Sequence, residues 1–545
     1  MSKVLLFRNG KIFTAHEEQL YVESVVVGED GKIIFVGDEK EAMSKFKNAE
    51  AVDLNGKMLL PGFIDAHNHF LNEGEVLEFS DVRYPKIQSK KNLIDFLRKE
   101  VTRLKNGQTL TAFGMDPSKY DDDKNPTRWD LDKVSIDHYI YVVHVSGHYV
   151  LANSKAVDFF NVRKDTPDPT GGKIIKNDSG EPTGLFLDAA QAIVRPVDVD
   201  IGNHGPNFHV KRPLEELVGA LEKAQNEYLA CGITSVGDAQ VTKRELSVYY
   251  KAHKDHKLKI RVVCMPLSHQ LTSYLYTGIR TGFGDDLLRI GPMKFYEDGS
   301  LIGGTAKFSE PYGENGEYSG ILYWEDDIIQ KMIEDAYSGG WGIGVHAQGD
   351  KAIGVILNTF QRVRDKEGKH SNNILRIEHC GYPTMEQIMK MSRLGVYVIS
   401  QPNYLYDSGD EFLKRLGKRA DSLYPLRTEL ENNVKMVISS DAPVTMYNPL
   451  RSIQAAVTRL TLMGKSIGGN EIITVEQALI AHTLNAAEAL GIGETTGSIT
   501  VGKYADLIVL DVDITNVDPK EISEGKVLLT MVGGNIEWGS LKNFA

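Results

Sequence analysis

Eight short apolar segments recur along this chain, and segments with helical periodicity separate most of them. The apolar segments are rich in valine and isoleucine and span residues 59–67, 232–239, 258–267, 290–299, 342–349, 374–380, 395–403 and 434–443. Short runs that are apolar throughout are typical of strands buried on both faces. Strands that alternate with amphipathic helices indicate a parallel sheet, and eight such units predict a (β/α)₈ TIM-type barrel of the α/β class.

The remaining parts of the chain have a different sequence pattern. Residues 1–58 and 494–545 contain short alternating runs with glycine turns, which predicts that both ends join in one small β domain. The barrel would then comprise residues 59–74 and 214–493. The interval 75–213 is too long for a β/α connection, so we expect an inserted α/β subdomain that covers the mouth of the active site.

Composition excludes several classes of protein. The net charge is −12 and no basic run is dense enough to follow a phosphate backbone, so nucleic acid is not an expected partner. Cys231, Cys264 and Cys380 are far apart and odd in number, which argues against disulfides and indicates a reducing compartment. No apolar segment has the length of a membrane span or of a signal-peptide core. These features predict a cytoplasmic protein without membrane contact.

Two histidines, His67 and His69, lie on either side of Asn68 at the end of the first apolar segment. Side chains two residues apart in a strand point to the same face, so both histidines would point into the barrel mouth. Taken alone, the pair fits structural histidines about as well as metal ligands.

Other ionisable residues occupy equivalent positions in later segments. They are Lys294, His346, His379 and Asp441, each at or near the carboxyl end of a predicted strand. Active sites of such barrels lie at this face, and imidazole and carboxylate groups are common ligands of divalent metals. The set therefore predicts a metal site, with Gln348 pointing into the same mouth two residues after His346.

Alternatives remain open for several of these residues. Lys294 could form a buried ion pair with Glu297 or Asp298, and His148 could stabilise a turn. His482 is expected on a packing helix, and Cys380 on the outer face of its strand.

The motifs PGFIDAHNH, SSDAP and GSITVGKYADLIVLD, together with a strand lysine and two later strand histidines, resemble the metal-dependent amidohydrolase superfamily. The segments GHYVLANSKAV, GEPTGLFLDAA, MKFYEDGSL, HAQGDKAI and RIEHC resemble its YtcJ-like branch, which includes N-substituted formamide deformylase. The resemblance spans nearly the whole chain. It implies a (β/α)₈ barrel, with the two chain ends joined in a small β-sandwich, and a homodimer.

The resemblance also implies roles for the site residues. His67 and His69 would hold the more buried metal, and His346 and His379 the more exposed one. Asp441 would ligate the first metal and exchange a proton with the water, and Lys294 would bridge both. Because an ammonium group has no acceptor, Lys294 would need carboxylation by CO₂. Zinc is the expected metal, with two ions favoured and one possible, and His148 and Gln348 would contact the substrate.

The activity implied is hydrolysis of a linear C–N amide bond in an N-formyl or N-acyl amine by a metal-activated water. Asp441 would take the proton of the water and deliver it to the leaving nitrogen. An esterase or lactonase could use the same site. Deaminases typically carry a glutamate in an HxxE pattern, whereas Ala347, Gln348 and Gly349 follow His346 here. A non-enzymatic scaffold would be expected to have lost ligands that this chain retains.

Overall fold

A computed structural model describes residues 3–121, 125–169, 171–312, 318–368 and 373–541. Strands occur in all eight predicted segments, and we number them core strands one to eight. Their bounds are Phe63–Asn68, Ile233–Val241, Arg261–Pro266, Leu288–Ile290 with Met293–Tyr296, Ile343–Ala347, Leu375–His379, Tyr397–Ser400 and Lys435–Ile438. Core strand four is in two pieces because Gly291 and Pro292 interrupt it, and proline has no N–H to donate to the ladder.

The core strands form two parallel sheets. Strands one to three and Leu288–Ile290 make the first sheet, and Met293–Tyr296 with strands five to eight make the second. At one junction a parallel bridge joins Leu267 to Lys294. At the other, the Asp441 N–H donates to the carbonyl of His67 at 2.9 Å. The carboxyl ends of strands one and eight therefore lie side by side.

Helices pack their apolar faces against these sheets. The helices that follow the core strands along the chain are Phe70–Val76, Leu214–Ala230, Lys243–Lys254, Leu271–Thr277, Asp326–Ser338, Asp350–Glu367, Met385–Leu394, Asn403–Leu416, Leu426–Glu431, Pro449–Thr458, Val475–Ala481 and Leu484–Ala489. The helix Asp350–Glu367 buries Ile353, Ile356 and Phe360 completely. Each such side chain contributes about 1.5–3 kcal/mol of hydrophobic stabilisation, which holds the strand ends in fixed positions.

Both chain ends contribute to one eight-stranded sheet. Its strands are Leu5–Phe13, Tyr21–Val27, Ile33–Gly37, Glu50–Asp53, Met58–Pro61, Leu507–Leu510, Val527–Val532 and Asn535–Gly539, and a helix spans Glu39–Lys45. Met58–Pro61 pairs antiparallel with Leu507–Leu510, and this pairing joins the two ends of the chain. Because Met58–Pro61 leads directly into core strand one, this sheet anchors the segment that carries His67.

A third assembly lies between core strands one and two. Its strands Ser80–Asp81, Thr109–Met115, Tyr139–His144, Tyr149–Ala152, Gly172–Lys176 and Pro182–Asp188 form one six-stranded mixed sheet, with helices Lys90–Val101, Arg128–Asp132 and Ser154–Phe159. Separate apolar clusters cover the two faces of the sheet. One cluster contains Val76, Phe113 and Val143, so this face continues into the helix that follows core strand one. Among the described residues, no helix has the length and hydropathy needed to span a membrane.

Candidate active site

Three ionisable side chains meet where the carboxyl ends of the core strands converge. His67 and His379 lie on strands one and six, and Asp441 lies three residues after the end of strand eight. Each offers one ligand atom, and the three atoms lie within 4.8 Å of one another. All three residues are buried. Among the described residues, these three form the one group of His, Cys, Asp or Glu side chains whose ligand atoms are close enough together to hold a metal ion.

The ring orientation of His67 is fixed by a carboxylate. Its Nδ1 lies 2.6 Å from Oε2 of Glu378, so Nδ1 carries the proton that this acceptor requires. Its Nε2 is 3.3 Å from Oδ1 of Asp441. The lone pair on Nε2 of His67 therefore faces a carboxylate oxygen. Two hydrogen-bond acceptors at this distance require a cation between them, either a proton or a metal.

His379 is oriented in the same way by an amide. Its Nδ1 lies 2.8 Å from Oε1 of Gln401, whose amide nitrogen donates to the carbonyl of Ile399 at 3.0 Å and to Oγ of Ser439 at 2.9 Å. These donations fix the amide so that its oxygen accepts from Nδ1 and Nε2 of His379 keeps its lone pair. Burial lowers the pKa of His379 to about 3, which keeps the ring neutral.

An unusual backbone conformation brings His379 to this position. Along core strand six, Leu375 and Ile377 pack into the apolar core, while Arg376 donates to the carbonyl of Ala66 on strand one at 2.8 Å. Strict alternation would turn Glu378 toward strand one and His379 away from it. At His379 the backbone has φ 71°, in the left-handed region, and the two consecutive side chains both reach His67.

The two carboxylate oxygens of Asp441 differ, because Oδ1 makes no hydrogen bond to a described residue. The Tyr404 hydroxyl donates to Oδ2, and Nε2 of His69 is 3.3 Å from Oδ1. Burial by itself would raise the pKa of Asp441, but its close contacts with the imidazole rings of His67 and His69 hold it well below its ordinary value. A carboxylate in this environment stays ionised and suits the ligation of a cation.

Lys294 is fully buried on core strand four, and its Nζ makes no hydrogen bond to any described residue. Nζ lies 4.6 Å from the ring centroid of Tyr296. Burial lowers the pKa of Lys294 to about 8. No ion pair with Glu297 or Asp298 is present in the described part of the chain, because Asp298 accepts backbone N–H groups of Lys307, Gln348 and Gly349 instead.

His69 and His346 flank the group of three. Nδ1 of His69 is buried without a hydrogen bond in the described structure, and its ring packs 5.0 Å from that of Phe208. Nε2 of His346 lies 3.0 Å from the carbonyl of Gly299, while its ring is 4.4 Å from that of His379. The compact group thus combines His67 and Asp441 with His379, which the sequence resemblance assigned to a different metal.

Three supporting residues were not identified from the sequence: Glu378, Gln401 and Tyr404. The sequence did contain a sign of a role for Glu378, because Arg376 and Glu378 carry opposite charges two residues apart in an otherwise apolar strand. Arg376 and Glu378 pair at 2.8 Å between Nη2 and Oε2, and both are fully buried. Arg376, with His67, lowers the pKa of Glu378 despite its burial, so the carboxylate remains an acceptor for His67.

We expect Glu378→Gln to weaken divalent metal binding 10- to 100-fold, because an amide is a poorer acceptor for Nδ1 of His67. Metal titration of the apoprotein measures the effect. Glu297→Gln is the matched control, since Glu297 is equally buried and its carboxylate makes no hydrogen bond to a described residue. Equal metal affinity in wild type and Glu378→Gln would contradict an orienting role for Glu378.

A cavity of about 770 Å³, including its open mouth, ends at these residues. Phe113 and Val143 of the six-stranded sheet contribute apolar walls, as do Phe208 and Val444. His148 and Gln348, the two predicted substrate contacts, line the cavity along with His67, His69, His346, His379 and Asp441. Nδ1 of His148 lies 2.7 Å from Asp188, and Oε1 of Gln348 accepts the Leu301 N–H at 3.1 Å.

Comparison with known proteins identifies the family of this site. Residues 50–536 match the profile described as the amidohydrolase family. The chain belongs to the amidohydrolase family. The resemblance noted in the sequence is therefore confirmed, and this chain is a hydrolase that acts on carbon–nitrogen bonds.

Relatives match the amidohydrolase over nearly their whole length. N-substituted formamide deformylase of Arthrobacter pascens is 28% identical, with 98% of each chain covered. Putative amidohydrolase YtcJ of Bacillus subtilis (strain 168) is 27% identical, with 97% of this chain and 98% of the relative covered. Among solved structures, an uncharacterized metal-dependent hydrolase from Pyrococcus horikoshii OT3 has a TM-score of 0.76 and 25% identity, with 95% and 99% of the two chains covered.

Proposed function

We propose that this amidohydrolase hydrolyses a linear C–N amide bond of N-formyl or N-acyl amines with a divalent metal as cofactor. The proposal rests on the contact between two hydrogen-bond acceptors, one on His67 and one on Asp441. Nε2 of His67 faces Oδ1 of Asp441 at 3.3 Å, while Nδ1 of His67 is committed to Glu378. The similarity to N-substituted formamide deformylase supports the choice of substrate class.

The donor set fits a divalent metal. His67, His379 and Asp441 supply two imidazole nitrogens and one carboxylate oxygen within 4.8 Å, a combination that suits zinc. A metal held there would polarise the substrate carbonyl and lower the pKa of a water molecule. The apolar walls of Phe113, Val143 and Phe208 keep bulk water from the bond to be cleaved.

We propose that Asp441 carries the proton. Oδ2 is held by the Tyr404 hydroxyl, so Oδ1 is the oxygen available to accept the proton of the attacking water. Oδ1 would then deliver that proton to the amide nitrogen, because an amine leaves poorly unless it is protonated. His148 and Gln348 would contact the substrate from the cavity wall.

Lys294 would hold a second metal after carboxylation by CO₂. An amine buried without a partner is costly, whereas a carbamate would supply two oxygens to cations at this position. His346 and His69, which lie beside the group, would complete two sites. We therefore propose two metal ions per chain and keep a single metal ion as the alternative.

The architecture we propose is a closed (β/α)₈ barrel with three attachments. The parallel bridge Leu267–Lys294 and the hydrogen bond between Asp441 and His67 support closure at both junctions. The barrel would span residues 59–74 and 214–493, with residues 75–213 as an α/β insertion over the mouth. Residues 1–58 and 494–545 would form a β-sandwich. From the family resemblance we also propose a homodimer, which light scattering on the purified protein would test.

A hydrolysis screen tests the reaction. We expect metal-analysed protein to contain one or two divalent ions per chain and to release amine from N-formyl or short N-acyl amines. Chelation should abolish turnover, and added zinc should restore it. Turnover of esters without any amide, or full activity after complete metal removal, would overturn the proposal.

We expect Lys294→Ala to reduce kcat about 100-fold or more and to halve the metal content of a two-metal enzyme, because the chain would lose the carbamate oxygens that Lys294 would supply. Added acetate or propionate should restore part of the rate by occupying the vacated space. Lys503→Ala is a control, since Lys503 is half-buried and donates to Thr496 and Ser498 away from the cavity. Unchanged metal content and rate in Lys294→Ala would contradict the bridging role.

A further inference from the structure

One cationic side chain in the cavity wall has no part in the proposed chemistry. Arg195 lines the cavity, is only 6% exposed, and lies outside the group of metal ligands. Burial lowers the pKa of Arg195 to about 10, so the guanidinium stays protonated at neutral pH. A buried charge is expensive unless it has a partner, and arginines in protein interiors are normally paired with carboxylates.

The partners of Arg195 among the described residues are neutral. Its Nη2 donates to Oε1 of Gln191 at 2.8 Å and to the carbonyl of Asn207 at 3.2 Å. Its Nε is buried and makes no hydrogen bond to a described residue. No described carboxylate lies within the 4.0 Å of an ion pair to this guanidinium, whose hydrogen-bonding capacity is therefore partly unused.

The nearest candidate for a counter-ion is already engaged. Glu75 lines the same cavity and favours the charged form of Arg195. However, its Oε1 pairs with Arg244 at 2.6 Å and lies 3.6 Å from Arg212. Arg244 and Arg212 are thus the ion-pair partners of Glu75, and Arg195 contacts no carboxylate among the described residues.

Two hydrogen-bond acceptors hold the guanidinium of Arg195 in the cavity wall. Asn207, which accepts from Arg195, directly precedes Phe208, and the Phe208 ring packs 5.0 Å from that of His69. Gln191, the other acceptor, is held by its own donation to the carbonyl of Gly147 at 3.0 Å. The guanidinium is therefore held by two fixed acceptors, one of which directly precedes the residue that packs against His69.

We propose that Arg195 binds a carboxylate on the amine portion of the substrate, so that the preferred substrates are N-acyl amines ending in a carboxylate. The inference rests on the proposed amide hydrolysis, in which a short acyl group occupies the metal end and leaves the remaining cavity to the amine portion. The apolar walls accommodate a hydrocarbon spacer. Guanidinium and carboxylate then form a charge-assisted pair in a water-poor site.

The test compares substrates that differ in one charge. N-acetylglycine, N-acetyl-γ-aminobutyrate and N-acetyl-ε-aminocaproate are assayed beside the N-acetylamino alcohols of equal length. We expect kcat/KM to be at least 10-fold higher for one or more carboxylates than for the matched alcohols, mostly through KM. Arg195→Met should remove this preference, and Arg195→Lys should retain part of it because a point charge replaces the planar fork.

Arg364→Met is the matched control, because Arg364 is a half-buried arginine that donates to the Tyr337 hydroxyl at 2.7 Å outside the cavity. It should keep the wild-type preference. If wild type hydrolyses the alcohols as well as the carboxylates, the inference fails while amide hydrolysis stands. The wild-type comparison needs no variant and is independent of any folding defect.

A binding measurement separates the two proposals. The methyl ketone analogue of N-acetyl-γ-aminobutyrate, in which a methylene group replaces the amide NH, cannot be hydrolysed. Calorimetry on the metal-loaded protein should show at least 10-fold tighter binding of this analogue than of its neutral alcohol, and Arg195→Met should equalise the two. Equal binding in wild type overturns the inference even if no amide is hydrolysed, and a preference without turnover refutes only the proposed reaction.

Discussion

Replacing His67 and His379 together with alanine is expected to remove the bound metal and to lower kcat/KM roughly 1,000-fold or more. Nδ1 of each ring is engaged by a neighbour, and the candidate ligand atoms of the two rings and Asp441 lie within 4.8 Å of one another. A catalytic metal supplies several kcal/mol of transition-state stabilisation. Metal analysis by mass spectrometry and steady-state kinetics on an N-formyl amine measure the two effects.

His482→Ala controls for the loss of a buried imidazole. His482 is 1% exposed, packs against Phe63 behind core strand one, and makes no side-chain hydrogen bond to a described residue. This variant should lose stability but keep its metal and its rate per folded molecule. A double variant that retained full metal content and turnover would remove the basis of the proposed centre.

Asp441→Asn is expected to lower kcat about 1,000-fold, within the 100- to 10,000-fold range typical of a lost general acid–base group. An amide keeps the shape of the side chain and can still interact with Tyr404, but it cannot take a proton from water at neutral pH. KM should change much less than kcat. Steady-state kinetics with parallel metal analysis distinguish a lost proton carrier from a lost ligand.

Asp238→Asn provides a close structural match. Asp238 is buried on core strand two and accepts a hydrogen bond from the Tyr249 hydroxyl, as Asp441 does from Tyr404, but it does not line the cavity. We expect this variant to keep kcat. If Asp441→Asn and Asp238→Asn had the same small effect, proton transfer through Asp441 would be refuted.

Periodicity in the sequence was enough to locate the core strands. Each of the eight predicted segments contains a strand, because apolar runs bounded by turn residues have few other ways to bury their side chains. The position of His67, His379 and Asp441 at strand ends followed from the same pattern. The sequence motifs also indicated the family that the comparisons confirm.

Local periodicity did not predict the details of the site. Alternation along core strand six places His379 on the outer face, and only the left-handed backbone at that residue turns it toward His67. Gln401 and Glu378 fix which nitrogen of each ring carries the proton, and they act on residues 22 and 311 positions away in the chain. Such contacts depend on how strands pack, which no local pattern records.

The sequence by itself determined which segments become core strands, which residue types stand at their ends, and hence the class of chemistry. The tertiary structure alone decided which three candidate ligand atoms lie within 4.8 Å of one another, which oxygen of Asp441 lacks a hydrogen bond, and that Arg195 lines the cavity without an acidic partner among the described residues. The physical reason is that strand formation and side-chain alternation are set by neighbouring residues. Distances between side chains, the pairing of buried charges and the walls of a cavity arise only when distant segments pack together.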